Sequence, residues 1–227
     1  MLKYLADKLL KRQRINGDTG IYKFAQGWKR VSRVVLVNHL IKIHSYKSYL
    51  EIGIRKKERM NDLIETKRVS SVDPDPMANA EYCMTSDDYF SNHDEKFDII
   101  FIDGLHEGQQ VKRDIENSLN VLNKNGHILL HDINPPTAFH ARQNYEVNGK
   151  YPSWNGTSWE GYAWHRKNSP NLSMCVIDTD WGVGIIKVGK QKIWLGDVSG
   201  YETLETNREE LLNLISVQQF LKEYPAR

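Results

Sequence analysis

The stretch that decides the fold is FDIIFIDGLHEGQQVKRDIENSLNVLNKNGHILLHD, Phe97 to Asp132. Phe97 to Ile102 is a short apolar run, rich in β-branched and aromatic residues, of the kind that fills a strand buried on both faces of a parallel sheet. It stops at Asp103-Gly104. A helical period follows, with Val111, Ile115, Leu119 and Leu122 on one side and Lys112, Arg113, Asp114 and Glu116 on the other. Asn125-Gly126 supplies a left-handed residue to end that helix. His127 to Leu130 is a second buried strand, closed by His131-Asp132. Strand, helix and strand make a crossover unit whose hand is almost always right. Both strands then end in acids on one edge of the sheet, the edge at which open α/β sheets bind ligands. Asp103, His106, His131 and Asp132 are thereby expected around one crevice.

Working toward the amino terminus, Tyr49-Leu50-Glu51-Ile52-Gly53 reads as a strand running into a turn. Glu51 is a carboxylate that is hard to bury without a partner, and Gly53 lets the backbone bend closely. No further glycine follows between Ile54 and Arg59, so this is not a dinucleotide fingerprint. Met60 to Ile64 has a helical pattern. Val69 to Val72 reads as the next strand, ending at Asp73 roughly 20 residues after Glu51, the offset at which an acid takes ribose hydroxyls in nucleotide-binding sheets. Glu81 to Met84 is expected as a short third strand. Thr85 to Asp88 would cap a helix beginning at Tyr89 and leave Ser86 at the crevice. A helix is expected from Trp28 to Ile43, ended by Ser45-Tyr46. Residues 1–14 form a basic amphipathic stripe. It suits packing on the domain or a second subunit better than contact with a membrane surface.

Toward the carboxyl terminus, residues 137–169 show no regular period and are crowded with aromatic and polar groups. Trp154, Asn155 and Trp159 are the densest part. Such side chains suit a sugar face or another polar organic ligand, or else the small core of a capping subdomain. Leu172 to Ile177 and Val183 to Val188 flank the turn cluster Asp178 to Gly182 as a hairpin. A last helix is expected from a capping box at Thr206 to Glu209, burying Leu211, Leu214, Ile215 and Leu221.

The whole chain bounds these readings. A length of 227 residues suits one domain with decorations. A hydrophobic share of 40% and a charged share of 26% are globular values, and a net charge of +2 is too small to imply nucleic acid. No apolar run approaches the ~20 residues of a membrane span. The two distant cysteines, Cys83 and Cys175, make no metal-type spacing. A cytoplasmic setting is the simplest expectation.

Taken together, the layout resembles class I S-adenosylmethionine-dependent methyltransferases over residues 47–188, and within them a small-molecule and sugar O-methyltransferase subgroup with an Asp-Gly-x-His signature. Glu51-Ile52-Gly53, Asp73, Asp103-Gly104-Leu105-His106 and Leu129-Leu130-His131-Asp132 carry the resemblance. It implies a Rossmann-like α/β fold: a seven-stranded, mostly parallel sheet with helices on both faces and a carboxyl-terminal antiparallel hairpin. Residues 47–136 and 170–190 would form the core. Residues 1–46 would be amino-terminal helices, 137–169 a substrate insertion and 191–227 a helical tail. It also implies that Glu51, Gly53, Asp73, Ser86 and Asp103 face S-adenosylmethionine. Related enzymes that use Mg²⁺ hold it with acids after strands four and five, where Asp103 and Asp132 stand. His106, with His131 second, is the expected base for a hydroxyl acceptor, and a saccharide or other small molecule is the expected acceptor. Two other classes remain open: a non-catalytic module of this fold that binds a glycan or a partner, and a nicotinamide-dependent oxidoreductase.

Overall fold

The computed structural model describes residues 31–226; the basic stripe of residues 1–14 lies outside them. In chain order the elements are α1 (Arg33–His44), β1 (Ser48–Ile52), β2 (Arg68–Val72), α2 (Ser86–Asn92), β3 (Phe97–Ile102), α3 (Gly108–Asn120), β4 (Leu122–Leu130), α4 (Ser158–Asn168), β5 (Leu172–Ile177), β6 (Val183–Val188), α5 (Tyr201–Leu212), β7 (Leu214–Ile215) and α6 (Val217–Glu223). The strands form one seven-stranded sheet in the order β2-β1-β3-β4-β6-β5-β7. Only β6 runs against its neighbours, pairing antiparallel with both β4 and β5. The fold is thus the Rossmann-like α/β sandwich read from the sequence, with its hairpin.

Side-chain alternation divides the core. Leu50, Ile52, Ile100, Ile102, Ile128 and Leu130 face one layer, packed on Val111 and Ile115 of α3, Trp159 and Tyr162 of α4 and Leu204 and Leu211 of α5. Tyr49, Ile99, Phe101 and Leu129 face the other, packed on Leu36, Val37 and Leu40 of α1 and Phe220 of α6. The two-residue repeat of a strand produces both faces from one continuous apolar run.

Several boundaries differ from expectation. Glu81 to Met84 forms no strand: Tyr82 makes a single parallel bridge to Val72, and Pro74 and Pro76 carry the chain off the edge before it. The seventh strand is instead Leu214–Ile215, which pairs parallel with β5. The expected last helix is divided there. Asn207 has a non-helical backbone, Asn213 is left-handed, and the capping box is built by Ser216 and Gln219 rather than at Thr206. Met60 to Ile64 belongs to short 3-10 turns rather than an α-helix. The helix after β3 ends at Asn120; Asn125 is left-handed at φ 66 but lies within β4, in the irregular stretch between the pairs Phe97–Leu122 and Ile99–His127. Finally, residues 158–168 of the aromatic segment are a regular helix, α4, with Trp159 and Tyr162 in the core. Its buried face carries Trp159, Gly161, Tyr162, Ala163 and His165 rather than Leu or Val, which hid the helical period.

Candidate active site

Four parallel strands, β2-β1-β3-β4, bring their carboxyl ends to one edge. Glu51, Asp73, Asp103 and the pair His131-Asp132 all lie there. Gly53 has φ 81, and a Cβ on it would stand 2.3 Å from the Cα of Gly104. The close approach that needs glycine is therefore between two loops of the protein itself.

Asp103 and Asp132 hold two imidazoles between them. His106 Nε2 lies 3.3 Å from Asp103 Oδ1, and its Nδ1 lies 3.6 Å from Asp132 Oδ2. His131 Nδ1 lies 3.3 Å from Asp103 Oδ1 and 3.2 Å from Asp132 Oδ2. Neither Nδ1 has a well-directed hydrogen bond, though both are buried. Burial opposes charge on His131, but Asp132 and Asp103 outweigh it and hold its pKa well above the ordinary value. Burial likewise opposes charge on His106, and Asp103 and Asp132 again win, raising its pKa. Asp103 is held far below the usual carboxylate range: burial works against its charge, and His131, His106 and Arg33 more than compensate.

Two members of this cluster carried no legible signal. Arg33, at the start of α1, places Nη2 3.7 Å from Asp103 and Nη1 3.0 Å from His131 Nε2. Asp180, in the β5–β6 turn, accepts a 2.9 Å hydrogen bond from the Arg33 amide and lies 3.7 Å from His131 Nε2. Burial works against its charge, but His131 and Arg33 pull its pKa down to about 2. Asp132 and Asp180 both adopt the left-handed backbone, at φ 61 and 43, the kind of strained conformation that gathers at functional turns. The turn Asp178 to Gly182 read only as punctuation, and nothing in a helix start distinguishes an arginine that enters a site.

Of the expected substrate residues, Trp154 stacks on His106 at 5.1 Å between ring centroids, and Asn155 donates a 2.6 Å hydrogen bond to Asp132 Oδ1. Trp159 does not join them: it is 1% exposed, inside the core, and offers no face to a ligand. Tyr145 packs against Trp154 at 5.2 Å and Tyr151 against Tyr145 at 5.0 Å, both exposed. The Arg142 guanidinium fixes this segment by donating to the carbonyls of Phe139, Ser153, Tyr145 and Pro152.

The expected cofactor residues are placed unevenly. Asp73 Oδ2 accepts from the amides of Ile54 and Arg55, and Oδ1 from that of Asp75. This closes the glycine-poor loop while leaving a lone pair on Oδ1. Ser86, at the start of α2, accepts from Gln110. Burial pushes Glu51 up to about 7, partly offset by the Asn61 amide, 3.2 Å away, and by Tyr49. An acid on each of three adjacent strand ends fits the cationic, hydroxyl-bearing donor that the resemblance implies. The donor set also fits a divalent cation. One oxygen each from Asp103 and Asp132 and a nitrogen of His131 lie within 4.8 Å of one another, and the His131 Nδ1 beside the carboxylates makes no well-directed hydrogen bond.

Comparison with known proteins bears on the fold that carries this site. Residues 54–133 match the model of a methyltransferase domain. A putative caffeoyl-CoA O-methyltransferase from Staphylococcus aureus superposes with a TM-score of 0.51 at 17% identity, covering 81% of this chain and 92% of its own. A cofactor-bound protein from MTB superposes with a TM-score of 0.50 at 14% identity, covering 80% and 88%. No curated protein matches the sequence. The matched residues run from the loop after β1 to the loop after β4 and include Asp73, Asp103, His106, His131 and Asp132, and the superposed structures share the Rossmann-like fold of this chain.

Proposed function

We propose that this chain transfers a methyl group from S-adenosylmethionine to a hydroxyl of a small-molecule acceptor, with His106 as general base. The observation that carries this reading is the imidazole of His106, held between Asp103 and Asp132 at the carboxyl edge of β3 and β4 and backed by the Trp154 ring. The O-methyltransferase name of the S. aureus neighbour supports a hydroxyl acceptor.

S-adenosylmethionine, when bound, supplies a sulfonium methyl to the attacking oxygen and leaves as the thioether. The residues do the rest. Glu51 and Asp73 would grip the donor, and Ser86 would face its adenine. His106 accepts the hydroxyl proton as the oxygen–carbon bond forms, and Asp103 and Asp132 stabilise the imidazolium that results. A divalent cation held by Asp103 and Asp132 would polarise the acceptor oxygen. Holding the oxygen in line with the methyl is worth roughly 7–11 kcal/mol in well-oriented systems. Trp154 and Asn155 fix the base and Asp132, and the exposed rings of Tyr145 and Tyr151 support a saccharide or another flat small molecule as acceptor. A cytoplasmic setting goes with this reading; among the described residues no helix is long and apolar enough to cross a membrane.

The amides already bound to Asp73 favour a second reading, a non-catalytic module of the same fold. Calorimetric titration with S-adenosylhomocysteine separates the two. Micromolar binding to the wild type that is lost in Asp73→Ala is the expected result. No binding to the folded wild type overturns the first.

A further inference from the structure

We infer that His131 is itself a metal ligand, and that Asp103, His131 and Asp132 form a mixed nitrogen–oxygen site for a late first-row divalent ion, with Asp180 orienting the imidazole. Two ligands at right angles on an octahedral ion, each about 2.1–2.2 Å from it, stand about 3.0–3.1 Å apart. His131 Nδ1 stands 3.3 Å from Asp103 Oδ1 and 3.2 Å from Asp132 Oδ2. The three atoms converge as ligands around a centre do. Nδ1 is buried, makes no well-directed hydrogen bond and lies within 3.3 Å of an oxygen of each carboxylate. A lone pair aimed at a shared cation accounts for that placement.

The opposite side of the ring supports the assignment. A metal-bound imidazole keeps its proton on the other nitrogen and commonly gives it to a carboxylate, which fixes the tautomer. His131 Nε2 lies 3.7 Å from Asp180 Oδ1, and Asp180 is buried in a strained turn. Arg33, which can only donate, now stands 3.0 Å from the same Nε2. With the proton on Nε2 its guanidinium keeps Asp180 Oδ2, 3.5 Å away. An imidazole in the set moves selectivity away from Mg²⁺, which prefers oxygen donors, toward Fe²⁺, Co²⁺, Ni²⁺ or Zn²⁺.

The test is metal binding on the full chain stripped with chelator, read by the visible absorption of Co²⁺ and by displacement with Mg²⁺. The wild type is expected to bind one Co²⁺ and to release it only to Mg²⁺ in at least 100-fold excess. His131→Asp, an all-oxygen set, is expected to shrink that preference tenfold or more, and Asp180→Asn to weaken Co²⁺ binding 10–100-fold. Co²⁺ that Mg²⁺ displaces at near-equal concentration overturns the inference, as does a folded wild type that binds no Co²⁺. Neither of these needs a variant to fold. A preference unchanged in a folded His131→Asp overturns it too. The S-adenosylhomocysteine titration reads donor binding separately, so metal selectivity and methyl transfer fail independently.

Discussion

His127 and His131 lie four residues apart on one face of the β4 segment, both buried, and differ in almost everything else. At the amino end, His127 Nδ1 is 2.6 Å from the Tyr46 hydroxyl and Nε2 is 3.3 Å from that of Tyr224. Burial, with His44 and Lys187 nearby, drives its pKa down to about 3. It is a neutral, satisfied core residue. At the carboxyl end, His131 faces three carboxylates and a guanidinium, with one nitrogen unsatisfied. Burial alone assigns neither role. The charges around the ring decide, and in a parallel sheet only the carboxyl edge collects loops that can supply them.

The sharpest way to break this contrast is at the active edge. His106→Ala is expected to lower kcat roughly 10²–10⁴-fold with little change in Tm. Full turnover in the variant would remove His106 as the base. Because Asp103 and Asp132 raise the His106 pKa, and the base must be neutral to work, activity is expected to climb with pH through a value above 6.5. A profile that falls over that range contradicts the role.

At the structural end the expected effect is smaller and of another kind. His127→Gln should leave kcat unchanged within about twofold while costing roughly 1–3 kcal/mol of stability, through the Tyr46 and Tyr224 hydroxyls left behind. The folded pKa of about 3 lies below the ordinary 6.5. The wild type therefore has its full His127 contribution above pH 6.5 and loses it as pH falls toward 3. Thermal unfolding of the variant should show a shallower acid slope, and an unchanged slope counts against a neutral buried His127.

Glu51 offers a finer test, because its sign is opposite. Its folded pKa of about 7 is above the ordinary 4.5, so stability is full below 4.5 and is lost as pH rises through 7. Glu51→Gln should raise the unfolding free energy relative to wild type at pH 8, by about 3 kcal/mol at most, with the difference vanishing near pH 4. Smallest of all is Tyr46→Phe, expected to cost about 0.5–1.5 kcal/mol with no effect on catalysis. Equilibrium denaturation beside an activity assay checks both quantities.

Much of this was legible in the chain. The apolar runs of β1, β3 and β4 and the acids that close them follow from local pattern, because a strand buried on both faces admits little else. So did the placing of Asp103, His106, His131 and Asp132 at one edge. Trp159 shows where local pattern stops: its neighbours Trp154 and Asn155 reach the site, whereas α4 turns Trp159 inward. Composition cannot tell a ligand-facing ring from a core ring. The strand at Leu214–Ile215 was equally hidden, since two residues pair there only because β5 presents an open edge.

The sequence by itself determined the six longer strands, the edge at which the acids gather and the identity of the groups able to do chemistry, since each depends on periodicity and on residues a few positions apart. Tertiary structure alone decided which histidine is drawn toward the charged form and which away from it, that Arg33 and Asp180 join a centre whose nearest members in the chain are 70 and 48 residues away, and that Asp132 has Asn155 as its partner. Those outcomes come from burial and Coulomb interactions between segments that touch only after folding, and such interactions leave no period in the chain.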